Sequence, residues 1–184
     1  MTGVVLKNNT AVGMGGALST AEKKPNLVIN AADCTFNANK STGSGGGAVE
    51  ILNSNCNSET DPSAVPIVFT NCTFTDNSAK SSGGAIEIRT GSCAKFDGIV
   101  ATGNSAENNG AVIYATSENS RVYLTGTVSQ SNNSAAGGKF IHLYKKNTYT
   151  NPPKLYTTHG SDAAWISDVG GNTANIEFGL ATLP

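Results

Sequence analysis

Phe74-Thr-Asp-Asn77-Ser-Ala-Lys-Ser-Ser-Gly83-Gly84-Ala85-Ile86-Glu87-Ile88-Arg89 is the stretch that decides how this chain folds. An apolar residue stands three positions before an asparagine, and a Gly-Gly-Ala triplet follows six residues after it. From Ala85 onward apolar and polar residues alternate. A period of two is the mark of a strand with one buried face. The stretch therefore predicts a short strand, a polar corner and a second strand.

The same pattern recurs along the chain. Leu6-Lys-Asn-Asn9 leads to Gly15-Gly16-Ala17-Leu18, and Phe36-Asn-Ala-Asn39 leads to Gly46-Gly47-Ala48-Val49-Glu50-Ile51. Weaker copies run from Asn104 to Gly110-Ala111-Val112 and from Asn132 to Gly137-Gly138-Lys139-Phe140-Ile141. The marker glycines Gly16, Gly47, Gly84, Gly110 and Gly138 are 31, 37, 26 and 28 residues apart. Periods of this size mean a solenoid. None of the repeats carries apolar residues at helical spacing, so the expected fold is all-β: a single-stranded parallel β-helix of about five to six coils. One domain is expected over residues 1–184, with motif-bearing coils in 1–144 and a final coil plus cap in 145–184. Coils stack about 4.8 Å apart, so equivalent residues form ladders. Phe36 is expected to lie on Phe74. Asn9, Asn39, Asn77, Asn104 and Asn132 are expected to form an asparagine ladder at a tight corner, in left-handed backbone geometry. The marker glycines turn the chain into the next sheet. All these residues are read as structural.

Phe36-x-x-Asn39 and Phe74-x-x-Asn77, each followed by Gly-Gly-Ala and then Val49 or Ile86, resemble the paired repeats of the chlamydial polymorphic outer-membrane proteins. Good copies cover about residues 1–90 and degenerate ones reach about 145, beyond which the motif is absent. The resemblance implies a right-handed β-helix, the hand that parallel crossovers generally take. It also implies the passenger of an autotransporter, displayed outside the cell and used in adhesion. The first residues, Met-Thr-Gly-Val-Val-Leu-Lys-Asn-Asn, lack the pattern of a secretion leader, so signal and anchor are expected to lie outside this segment.

Charged residues make up 14% of the 184 and the formal net charge is −1. Without a basic patch, neither a nucleic-acid nor an anionic-membrane partner is expected. No apolar run approaches the 18 residues that a membrane-spanning helix needs. The charged side chains offer little for catalysis. His142 and His159 lie in no metal or triad spacing, no phosphate loop is present, and no cofactor is expected.

Cys34 and Cys72 each stand two residues before the marker phenylalanine, and Cys56 and Cys93 each follow the motif alanine by eight. Stacking brings Cys34 to Cys72 and Cys56 to Cys93, which favours two coil-to-coil disulfides in an oxidising compartment. Pairing across each coil (Cys34 with Cys56, Cys72 with Cys93) and an unbonded thiol ladder remain open. Zinc is disfavoured, since no Cys-x-x-Cys occurs.

Glu50 and Glu87 are equivalent and, by parity with Val49, Ile51, Ile86 and Ile88, are expected to face outward as solvated side chains. Their row is expected to continue as Ser19, Ile113 and Ile141, with no third carboxylate. Tyr144, Tyr149, Tyr156 and Trp165 offer an aromatic platform near the far end. Loops at 19–26, 53–66 and 145–153 are the other places for a partner site. The leading expectation is a non-enzymatic extracellular adhesin-type passenger that binds a host surface protein or glycan. The alternatives are a surface-layer or filament subunit that stacks end to end on itself, and a polysaccharide lyase or hydrolase.

Overall fold

The computed structural model describes residues 1–20, 27–52, 65–171 and 173–179. Their regular structure is strand, with short 3-10 turns at Ile166–Asp168 and Thr173–Asn175. The strands form three sheets, and every pairing is parallel. The first sheet stacks Val5–Lys7, Thr35–Asn37, Ile67–Thr75, Cys93–Thr102, Arg121–Ser131, Lys154–Thr157 and Ile176–Glu177, with Ile29–Ala32 also paired to Ile67–Thr75. The second stacks Leu18–Ser19, Val49–Leu52, Ile86–Arg89, Ile113–Ala115, Ile141–Leu143 and Val169–Gly171. The third stacks the two-residue strands Thr10–Ala11, Lys40–Ser41, Ser78–Ala79 and Ser105–Ala106. The chain winds from first to third to second sheet and back, giving a β-solenoid of about five turns. The described residues after 145 extend the first sheet by two strands and the second by one.

The core is a set of ladders. Phe36 pairs with Phe74, their rings 4.8 Å apart and within 4° of parallel. That separation is the spacing of neighbouring strands. Phe69 stacks on Phe96 at 5.3 Å and meets Phe74 edge to face. Val49, Ile86, Ile113 and Ile141 form an aliphatic column on the second sheet, all fully buried.

Two strands of the first sheet run on through a bend. Ile67–Thr75 and Cys93–Thr102 are continuous, and each bends at a left-handed residue, Asn71 (φ 50°) and Gly98 (φ 78°). A Cβ on Gly98 would lie 2.7 Å from Asn71 Oδ1, so a side chain there would have to displace the Asn71 amide and hold a left-handed backbone angle. Arg121–Ser131 carries one residue more than Cys93–Thr102, inserted between the pairs Asp97–Thr125 and Ile99–Val128.

This bulge corrects the fifth rung of the asparagine ladder. Thr102 pairs with Ser131, so Asn132 falls level with Gly103 and Asn133 takes the ladder place. The ladder is Asn9, Asn39, Asn77, Asn104 and Asn133. From Asn39 onward each Oδ1 accepts the backbone N–H and the side-chain amide of the asparagine one coil earlier, at 2.9 to 3.1 Å. Each inner Nδ2 also donates to a backbone carbonyl: Asn39 to Leu6, Asn77 to Phe36, Asn104 to Phe74. The left-handed angle belongs to the residue before each ladder asparagine, namely Asn8, Ala38, Asp76, Gly103 and Asn132. The side chain that bonds along the stack and the backbone that makes the turn are thus neighbours, where the sequence reading had combined them.

The marker glycines are corrected in the same way. Gly15, Gly46, Gly83, Gly110 and Gly138 share one corner, all with φ between 60° and 67°. Gly16, Gly47 and Gly84 form a second row, which Ala111 continues, since Gly84 donates to Gly110 and Ala111 to Gly138. At Gly83 a Cβ would meet the Ile86 carbonyl oxygen at 2.4 Å. Gly110 and Gly138 are therefore equivalent to the first glycine of the earlier pairs.

Candidate functional site

Shifting the glycine register also shifts the row that holds the glutamates. Glu50 pairs with Glu87, Glu87 with Tyr114, and Tyr114 with His142. The row on the second sheet is Ser19, Glu50, Glu87, Tyr114, His142 and Gly170, and Ile113 and Ile141 belong to the core column instead. Nor are the glutamates solvated. Glu50 is 4% exposed and Glu87 6%. Parity does turn them away from the core, but neighbouring backbone covers them. A Cβ on Gly45 would lie 2.2 Å from Glu87 Oε2, so the carboxylate packs under that turn.

The row is the floor of a trough. One wall is the turn stack Ser44, Ser81, Asn108 and its neighbours Gly45, Ser82, Asn109, held by backbone hydrogen bonds from coil to coil. The other is the strand-end row Arg89, Thr116, Tyr144, similarly bonded. Within it a cleft of about 490 Å³ opens over Glu87 and Tyr114. Ser81, Ser82, Asn108 and Asn109 line one side, and Arg89, Thr116 and Ser117 the other.

The two carboxylates differ. Ser19 Oγ donates to Glu50 Oε2 at 2.6 Å, and Arg89 Nη1 lies 3.6 Å from Glu50 Oε1. Glu50 does not line the cleft. Glu87 does, and its Oε2 has no hydrogen-bond partner among the described residues. Burial pushes the Glu87 carboxyl up to about 7; Arg89 pulls it down and Glu50 adds to the rise. Burial also pushes the Tyr114 phenol up to about 12 and His142 below the usual imidazole value. The Tyr114 ring lies 5.7 Å from His142 and 6.2 Å from Tyr144, which in turn meets Tyr149 at 6.3 Å. Tyr114 is the residue that sequence reasoning missed. Its signal was its place three after Ala111, hidden by the misaligned glycine.

Tyr156 and Trp165 do not join this surface. Tyr156 is buried, stacked on Tyr123 at 5.2 Å in a small cluster with Val65 and Cys93. Trp165 is 5% exposed and meets Phe140 edge to face, because the 158–168 connection folds it over the end of the core. Of the three loops singled out in the sequence, residues 21–26 and 53–64 lie outside the described residues. The third brings Tyr149 to Tyr144.

Cys34 and Cys72 are stacked but unbonded, contrary to the favoured pairing. An in-register parallel ladder keeps the two Cα–Cβ directions parallel, so the Cβ atoms stay near the strand spacing of about 4.8 Å, beyond the ~3.8 Å a disulfide prefers. Each thiol donates to backbone carbonyls instead, Cys34 to Ala32 at 3.2 Å and Cys72 to Thr70 at 3.4 Å. Cys93 is disulfide-bonded, and Cys56, the partner the sequence favours for it, lies outside the described residues. Burial pushes the Cys72 thiol up to about 11, which leaves about one in a thousand ionised at pH 8. Iodoacetamide is expected to spare Cys34, which is buried, and Cys72, which is buried and un-ionised, in the native protein and to label both in urea, as read by peptide mass spectrometry. Labelling of Cys72 in the folded chain at the rate of a free thiol would contradict its placement.

Among the described residues no three His, Cys, Asp or Glu side chains converge to hold a metal ion. Among the described residues no helix is long and apolar enough to cross a membrane.

Residues 71–88 match the family model described as the Chlamydia polymorphic membrane protein repeat. The match spans the Cys72-Thr-Phe74 strand, the ladder residue Asn77, the corner Gly83 and the floor residue Glu87. No curated protein and no solved structure matches the chain. The repeat and the β-solenoid fit a passenger-like surface protein of the autotransporter kind, and the family that the repeat model describes is associated with the outer membrane and cell surface.

Proposed function

We propose that this chain is a non-enzymatic segment of an extracellular adhesin-type passenger, and that it binds a host surface protein or glycan. The observation that carries the reading is the polar cleft built on repeats of a surface-protein family, with a single buried carboxylate facing it. Hydrolysis of a glycosidic bond by carboxylates takes two of them on the same bond. Here Glu50 is held by Ser19 and Arg89 outside the cleft, which leaves one. The arrangement suits recognition rather than acid–base chemistry.

End-to-end assembly is a second reading with its own support. Val5–Lys7, Thr10–Ala11 and Leu18–Ser19 have no strand on their outer side among the described residues, and Val4, Leu6 and Leu18 are only partly buried there. Unpaired strand edges are ready templates for another chain.

Both are tested with the purified chain. Its concentration-dependent size is followed by chromatography and electron microscopy, and its fluorescent form is titrated onto epithelial cells. Monodisperse short rods that bind cells saturably are expected. Long fibres that grow with concentration, together with no saturable binding, would replace adhesion with assembly.

A further inference from the structure

We infer that the cleft over Glu87 and Tyr114 is a saccharide site, taking a neutral, hydroxyl-rich sugar of a surface glycan; this rests on the adhesion reading above. Three observations carry it. First, the lining is almost wholly hydroxyl, amide, phenol, carboxylate and guanidinium, with Ala136 its one apolar side chain. Protein anchors are usually large apolar or aromatic groups seated in apolar pockets, and drug-like ligands also want apolar walls. A polyhydroxylated ligand wants neither. Second, the Glu87 carboxyl group lines the cleft between the turn wall and Arg89. A carboxyl group there exchanges hydrogen bonds with ligand hydroxyls. Asn108 and Asn109 across from Arg89 offer both donors and acceptors for further hydroxyls. Third, Tyr114, Tyr144 and Tyr149 form a run of rings leading from the floor to the partly exposed Tyr144. Aromatic faces pack against the C–H faces of sugar rings and leave the hydroxyls free for the walls.

Other ligand chemistries fit less well. Arg89 lines the same cleft and repels a cation. Glu87 repels an anion, and a metal lacks ligands there. The volume of about 490 Å³ admits a short oligosaccharide end rather than a protein segment with bulky anchors.

The test uses the whole chain, wild type and two variants, on epithelial cells with and without mild periodate, which cleaves vicinal diols of glycans. Glu87→Gln keeps the shape and removes the carboxylate. Asn108→Trp fills the mouth from an exposed position. Melting curves establish that both variants fold. Wild-type binding is expected to vanish on periodate-treated cells. Affinity is expected to fall at least tenfold in Glu87→Gln and beyond detection in Asn108→Trp. Binding that survives periodate would overturn the saccharide and leave adhesion standing. Periodate-sensitive binding unchanged in both variants would overturn the site. Absence of wild-type binding to untreated cells would overturn the adhesion reading itself, and this inference with it.

Discussion

Replacing Asn77 with alanine is expected to cost about 4 kcal/mol. The change removes the acceptor for the Asn39 backbone N–H and the Asn39 side-chain amide, and the donor to the Phe36 carbonyl. All of this is interior: Asn39, Asn77 and Phe36 are each 0% exposed. A buried polar group left without a partner costs about 1–3 kcal/mol, and three are orphaned together. For a chain of this size each kcal/mol lowers the melting temperature by about 2–4 °C, so a drop on the order of 10 °C follows. Asn77→Asp is a sharper probe. It keeps the acceptor but turns the donor into an oxygen that faces the Phe36 carbonyl and Asn104 Oδ1. It should therefore destabilise at least as much near neutral pH, and less in acid, where a protonated carboxyl again donates. The bulge makes a paired prediction. Asn133→Ala should behave like Asn77→Ala, whereas exposed Asn132→Ala should cost no more than about 1–2 kcal/mol, the strain of a left-handed alanine. Urea unfolding of the four variants reads all of this. Equal losses at positions 132 and 133 would remove the bulge.

The second large effect is on pH dependence. Glu87 holds its proton up to about pH 7 in the folded chain, against a reference value of 4.5. Its folded pKa is raised, so the folded state binds more protons between those values and stability falls as pH rises through them. The stabilisation is fully present below about pH 4.5 and lost by about pH 7 to 8. At about 1.4 kcal/mol per pH unit the difference is on the order of 3 kcal/mol. Glu87→Gln should abolish that slope and be more stable than wild type at pH 8. His142 works in the opposite sense, since its lowered value makes acid destabilising. It is present in both chains, so its contribution cancels in the difference. A wild-type curve parallel to that of Glu87→Gln would show that the carboxylate is hydrated.

The coil was legible because its determinants are local. Phe74-x-x-Asn77, the corner glycines and the alternation after Ala85 are each set by a few neighbouring residues, and identical neighbours stack. Register in the later coils was not legible, for a physical reason. The sequence carries no separate sign for a bulge, and Asn132-Asn133 and Gly137-Gly138 are doublets in which either member satisfies the motif. Only the hydrogen-bond ladder chooses between them. A slip at Gly110, a lone glycine read as the second of a pair, moved Tyr114 off the glutamate row, and the slip at Gly138 moved His142. Glu50 and Glu87 were placed on the correct face by parity but given the wrong environment. Parity reports direction from the strand, while burial depends on the turn backbone of Gly45 and Ser82 folding beside them. The Cys34–Cys72 pairing failed in a related way, since a spacing that brings two residues onto adjacent strands does not turn their Cβ atoms toward each other.

Everything proposed for the trough turns on Glu87 being a buried carboxylate beside Glu50 rather than a solvated one. Carboxyl-carbon NMR of the intact chain, titrated from pH 3 to 9, measures that directly. A Glu87 midpoint near 7, moving downward in Glu50→Gln as the like charge goes and Arg89 is released to Glu87, is the predicted result. A midpoint at the ordinary glutamate value, unmoved by Glu50→Gln, would return both side chains to solvent and leave the cleft without its floor.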